Sequence, residues 1–114
     1  MRVTRDVVLT VDTAVAWELL TDPEELVAWL GARPFTVDHV DEGRELGFVW
    51  SDDHGVESRV VITVDEDTLG SKVTVTETRA SVGGGVRRLD VGSAWDGRLL
   101  GLELRSLLHE PALV

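Results

Sequence analysis

The sequence predicts an α+β domain: an antiparallel sheet of about five strands, two short helices after the first strand, and a long C-terminal helix packed on the sheet. Two patterns carry that prediction. Between Leu46 and Val75, three segments alternate apolar and polar residues, the period of a half-buried strand. From about Ser93 to His109, apolar residues recur at helical spacing instead.

Each element can be justified in chain order. Val3, Val7, Leu9 and Val11 share one face of a first strand, with Arg5 as an interruption. Asp12 or Thr13 can cap a helix over Ala14–Leu20, a segment dense in helix formers. Thr21 or Asp22 can cap a second, with Pro23 in its first turn and Glu24 and Glu25 at its positive end. That helix runs to about Leu30, and Gly31 is placed to end it. A strand from Phe35 to Val40 follows, then a turn over Asp41–Arg44. Leu46, Phe48 and Trp50 form the next apolar face, ahead of a turn over Ser51–Gly55. Val60, Ile62 and Val64 come next, then a turn over Asp65–Gly70 and a last strand with Val73 and Val75, ending near Ala80.

The faces fix a register. Setting Val64 against Val73 puts Ile62 beside Val75 and Val60 beside Glu77. Setting Leu46 against Ile62 puts Phe48 beside Val60 and Trp50 beside Ser58. All three strands then send their apolar sets to one side, as a single buried face demands. Ser81–Gly85 reads as a flexible break, and Val86–Val91 as extended chain or loop. In the final helix, with Ser93 as its expected cap, Trp95, Leu99 and Leu102 share one face. Leu100, Leu104, Leu107 and Leu108 share nearly the opposite one.

Composition narrows the functional classes. The 114 residues make one domain by size, residues 1–114, and 43% of them are apolar. No run is long enough for a membrane span, and the first residues lack the apolar segment of a signal peptide. A cytoplasmic location is expected. The absence of cysteine removes disulfides, thiolate catalysis and cysteine-ligated metal. A net charge of −10, with 11 basic residues dispersed among 21 acidic ones, argues against nucleic-acid binding.

Several local motifs resemble a known family. They are the stretch from Val11 to Glu24 with Leu26 and Trp29-Leu30-Gly31, the strand Leu46-Gly47-Phe48-Val49-Trp50, the strand Val73–Thr78, and the helix positions Trp95, Leu99 and Leu102. In this order they resemble bacterial SRPBCC proteins, START-like helix-grip domains, of the branch related to activators of the heat-shock-protein-90 ATPase. The chain is shorter than such domains by about one hairpin, because only Ala32, Arg33 and Pro34 separate Gly31 from Phe35. The expected sheet therefore has its first strand beside its last, with Phe35–Val40 at the free edge.

The resemblance implies that the terminal helix lies across a concave sheet and grips a pocket. Leu46, Phe48, Trp50, Val60, Glu77, Arg79, Trp95, Leu99 and Leu102 are the ligand-binding candidates it gives, for a small apolar ligand. The bland alternative is that the apolar ones are simply core. Glu77 and Arg79 share the buried face of Val73 and Val75. A buried carboxylate is costly alone, so Glu77 should pair with Arg79, Arg59 or Arg5, or sit at the open end of the sheet. No catalytic residues, metal site or cofactor are expected. His39, His54 and His109 follow no ligand spacing. The Glu24-Glu25 and Asp52-Asp53 pairs suit a helix start and a turn. Gly83-Gly84-Gly85 lacks the Lys-Ser/Thr of a phosphate loop.

Three functions are compatible with this reading: a non-catalytic ligand-binding or chaperone-linked accessory domain, a polyketide cyclase- or hydrolase-like enzyme, or a homodimeric interaction protein with a filled core. Glu77 is the one candidate for acid–base work in the second. The third rests on the leucines turned away from the sheet, which would expose about several hundred Å² of apolar surface. A homodimer through Leu100, Leu104, Leu107 and Leu108, or through the sheet edge, would cover them. Pro111–Val114 or Val86–Val91 folding back is the alternative cover.

Overall fold

A computed structural model describes residues 1–52, 54–79 and 88–109, with backbone alone for 88 and 89. The elements are β1 (Arg2–Leu9), α1 (Thr13–Thr21), α2 (Pro23–Trp29), β2 (Phe35–Asp41), β3 (Glu45–Ser51), β4 (Glu57–Asp67), β5 (Gly70–Arg79) and α3 (Arg88–Leu107). The five strands form one antiparallel sheet in the order β1-β5-β4-β3-β2, so the first strand lies beside the last and β2 holds an edge.

The register is the one that apolar alternation requires. Val64 faces Val73, Ile62 faces Val75 and Val60 faces Glu77. Leu46 faces Ile62, Phe48 faces Val60 and Trp50 faces Ser58. A slip of one residue would turn every one of these apolar side chains to solvent. The β4–β5 turn is tighter than its polar run implies. Asp65–Asp67 stay in the strand, Asp67 pairs with Gly70, and the Leu69 N–H donates to Asp67 Oδ1 at 3.0 Å. Gly70 has φ +146°, and a Cβ there would collide with the Leu9 carbonyl.

Both short helices begin on aspartates. Asp12 Oδ1 accepts from the Val15 N–H and Asp22 Oδ1 from the Glu24 N–H, each at 2.9 Å. Thr13 and Thr21 are helical residues, not caps. Trp29 locks the corner, its indole N–H donating to the Leu19 carbonyl at 2.8 Å. Gly31, at φ +100°, turns the chain out of α2.

Helix α3 starts at Arg88, earlier than the expected start at Ser93, so Ser93 is an exposed interior residue and not a cap. The extra turn has a packing reason. Val91 is one helical turn before Trp95 and is buried with it, so the added turn brings Val91 into the core. Gly92 fits because the Arg5 guanidinium lies in its place: a Cβ at 92 would collide with Arg5 Nη2. Arg5 itself bonds Asp96 on α3 at 3.1 Å. The expected break at Ser81–Gly85 and the tail Pro111–Val114 lie outside the described residues, as does Asp53. No helix among the described residues is long and apolar enough to cross a membrane.

Candidate functional site

Alternation along β5 sends Val73, Val75, Glu77 and Arg79 to the helix side of the sheet, and all four are buried. The last two lie where apolar packing gives way to polar groups. Register brings Ser58 of β4 opposite Arg79, and Trp50 of β3 opposite Ser58. Trp95 of α3 descends onto the same place, stacked on Trp50 with ring centres 5.7 Å apart.

Glu77 is the hub. Its Oε1 accepts from the Trp95 indole N–H at 2.8 Å. Its Oε2 accepts from the Ser58 hydroxyl and, at 3.4 Å, from the Trp50 indole N–H. Arg79 Nε stands 3.9 Å from the same oxygen. The carboxylate, 3% exposed, is thus compensated mainly by neutral donors, with one guanidinium beside it. The expected partners Arg59 and Arg5 are elsewhere. Arg59 bonds Asp38 at 3.1 Å, and Arg5 bonds Asp96. Arg59 alternates to the outer side of β4, next to Val60 and away from Glu77, which explains the difference.

Arg79 is held from the turn. Its Nη1 donates to Asp52 Oδ2 at 2.8 Å, while Asp52 Oδ1 accepts from the His54 and Val56 N–H groups. The Arg79 hydrogen bond, followed by that of the Val56 N–H, pulls the Asp52 carboxyl down to about 2. Two further guanidinium groups cover the aromatic pair. Arg33 lies 4.0 Å from the Trp50 ring centre, and Arg98 lies 5.0 Å from that of Trp50 and 4.7 Å from that of Trp95. Burial lowers the Arg98 pKa, the Glu77 charge opposes this, and the like charge of Arg33 adds to it.

Between these groups lies an open cleft of about 170 Å³, lined by Arg33, Glu77, Arg79, Val91, Ala94 and Arg98, with Asp90 at its rim. The nine sequence candidates are all buried, but they do not form one site. Trp50, Glu77, Arg79 and Trp95 converge, and Phe48 abuts them through Trp50, edge to face at 5.3 Å. Leu46, Val60, Leu99 and Leu102 belong to the hydrophobic core. Sequence reasoning missed Ser58, Asp52, Arg33 and Arg98. A signal existed for two of them: Ser58 is fixed by the register, and Arg98 follows Trp95 at helical spacing.

The histidines are separate. His39 contacts Glu45 at 2.8 Å and His109 contacts Glu25 at 3.3 Å. Glu25 does more than favour a helix start, because Arg105 also bonds it, at 2.9 Å, and ties α3 to α2.

No family model matches the sequence, and neither does any curated protein. Solved structures do match. DynU16, a protein of the dynemicin biosynthetic locus, superposes with a TM-score of 0.82 at 21% identity, over 96% of this chain and 48% of its own, so the present chain spans about half its length. The AHSA1 protein of Silicibacter pomeroyi matches with a TM-score of 0.78 at 16% identity, over 96% of this chain and 100% of that one. The Aha1 dimer from Colwellia psychrerythraea matches with a TM-score of 0.72 at 11% identity, over 90% and 93%. The chain therefore has the helix-grip fold of SRPBCC and Aha1-like proteins.

Proposed function

We propose that this chain is a non-catalytic helix-grip module that acts as a homodimer, joined through the outward face of α3. One observation carries the reading. Leu100, Leu104 and Leu107 of α3, with Leu108 in the turn after it, are 55%, 57%, 52% and 71% exposed, while the other face of the helix is packed. Such a stripe on a charged surface is a contact surface, and a second identical copy is its simplest cover. The Colwellia Aha1, of the same fold, is a dimer. A role as an accessory of a larger chaperone machine, as the Aha1 likeness prompts, would use such a module.

Light scattering over a dilution series tests this. The expected result is a dimer at about tens of micromolar that dissociates on dilution. Leu100→Glu with Leu104→Glu should give a folded monomer. A wild-type monomer throughout overturns the dimer. A dimer that survives both substitutions moves the interface to the β2 edge, where Val37 and Val40 are exposed.

Ligand binding is the second reading, favoured by the cleft beside Glu77. In it, Glu77, Arg79, Trp50 and Trp95 meet the polar part of a ligand. Leu46, Phe48, Val60, Leu99 and Leu102 become its apolar floor once α3 lifts. An enzyme of the cyclase or hydrolase kind would need Glu77 as its base, yet that carboxylate already accepts three hydrogen bonds.

A further inference from the structure

The cleft beside Glu77 holds more positive charge than its own acceptors occupy. Arg98 is half-buried over two indole faces. Among the described residues no carboxylate or carbonyl accepts a hydrogen bond from its guanidinium, which carries five N–H donors. Glu77 does not hydrogen-bond it: its oxygens accept from Trp50, Ser58 and Trp95, and its charge reaches Arg98 only at longer range. Arg79 adds a second donor. Its Nη1 is spent on Asp52, while its buried Nε, paired with Glu77 only at 3.9 Å, has no hydrogen-bond partner among the described residues. Both arginines line the same space of about 170 Å³.

We propose that this cleft binds a small organic monocarboxylate, its carboxylate held by Arg98 and Arg79 and its apolar body set against Val91 and Ala94. The chemistry selects that class. A guanidinium fork matches a planar carboxylate, and stacking on Trp50 and Trp95 fixes the Arg98 fork in place. The volume equals that of roughly six waters, which suits a short or single-ring acid. Glu77 and Asp90 line the cleft as well, so a second negative charge on the ligand meets repulsion. A phosphate dianion is disfavoured for that reason. The cleft opens beside the inward face of α3, so this site does not depend on the dimer.

The test uses the full chain and five probes at constant ionic strength: acetate, butyrate, benzoate, neutral benzamide and inorganic phosphate. Intrinsic tryptophan fluorescence reads the site directly through Trp50 and Trp95, and thermal shift gives a second readout. Butyrate and benzoate should give saturable changes at about millimolar concentrations, acetate a weaker one, benzamide and phosphate none. Arg98→Met keeps the stacked stem and should weaken benzoate binding about tenfold or more. Asp90→Asn, at an exposed rim position, should tighten it. Equal responses to benzoate and benzamide overturn the proposal, as does a phosphate response matching that of benzoate. Unaltered benzoate affinity in Arg98→Met, with Asp90→Asn also unchanged, overturns it too. The monomeric Leu100→Glu, Leu104→Glu variant should retain the benzoate response, which separates failure of this site from failure of the dimer.

Discussion

The two faces of α3 are built from similar numbers of large apolar residues and end in opposite environments. Val91, Trp95, Leu99 and Leu102 face the sheet and are buried, with Ser106 closing the row. Leu100, Leu104, Leu107 and Leu108 face outward and are more than half exposed. Hydrophobicity alone does not separate them. The difference lies in what each face meets. The inward row meets a sheet whose alternation supplies Phe48, Trp50, Val60 and Val75, and it is anchored at one end by Trp95 on Glu77. The outward row is left more than half exposed. A helix can therefore carry one face for folding and another for association.

Four perturbations sharpen this contrast, from the largest effect down. Trp95→Ala removes the largest fully buried side chain and should cost about 3–5 kcal/mol in chemical denaturation, a large share of a domain's stability. Glu77→Gln keeps the shape but turns an acceptor into a mixed donor facing two indole N–H groups. A loss of about 1–3 kcal/mol is expected, and an unchanged midpoint would show that the polar anchor is dispensable.

Asp52 gives a pH signature. Its folded-state pKa of about 2 lies below the unfolded value near 4, so its contribution is complete above about pH 4 and fades as pH falls toward 2. Asp52→Asn should flatten that part of the acid unfolding profile, followed by circular dichroism. The smallest effect belongs to the outward row. At concentrations where the wild type is monomeric, Leu100→Glu with Leu104→Glu should shift stability by about 0.5 kcal/mol or less per site. A loss comparable to that of Trp95→Ala would erase the distinction between the faces.

Much of this was legible in the chain because strand periodicity is a strict signal. Once Leu46, Phe48 and Trp50 must share a face with Val60, Ile62, Val73 and Val75, the register follows, and with it the neighbours of Glu77. The two-sided helix was legible for the same reason. The start of α3 was not, because Asp90, Val91 and Gly92 look like loop until the Arg5 guanidinium is seen lying against Gly92. Nor was the wiring of Glu77. Sequence pointed to arginine, and Arg79 does stand beside Glu77 at 3.9 Å, but the carboxylate's hydrogen bonds come from indole N–H groups and a serine, whose directions depend on how α3 crosses the sheet. The Asp52–Arg79 pair joins a turn to a strand end and has no local pattern to betray it.

The pairing of β1 with β5 has a kinetic side. Thr4 touches Thr76, and the Met1 amino group reaches the Arg79 carbonyl across 78 positions of sequence. Arg5 adds a hold on α3, further along still. The N-terminal strand thus leaves the ribosome well before its neighbour exists. It has to wait as an unpaired, half-apolar strand, while the meander β3-β4-β5 zips locally. Closure over so many residues is slow, and it delays the commitment to fold until β5 is available.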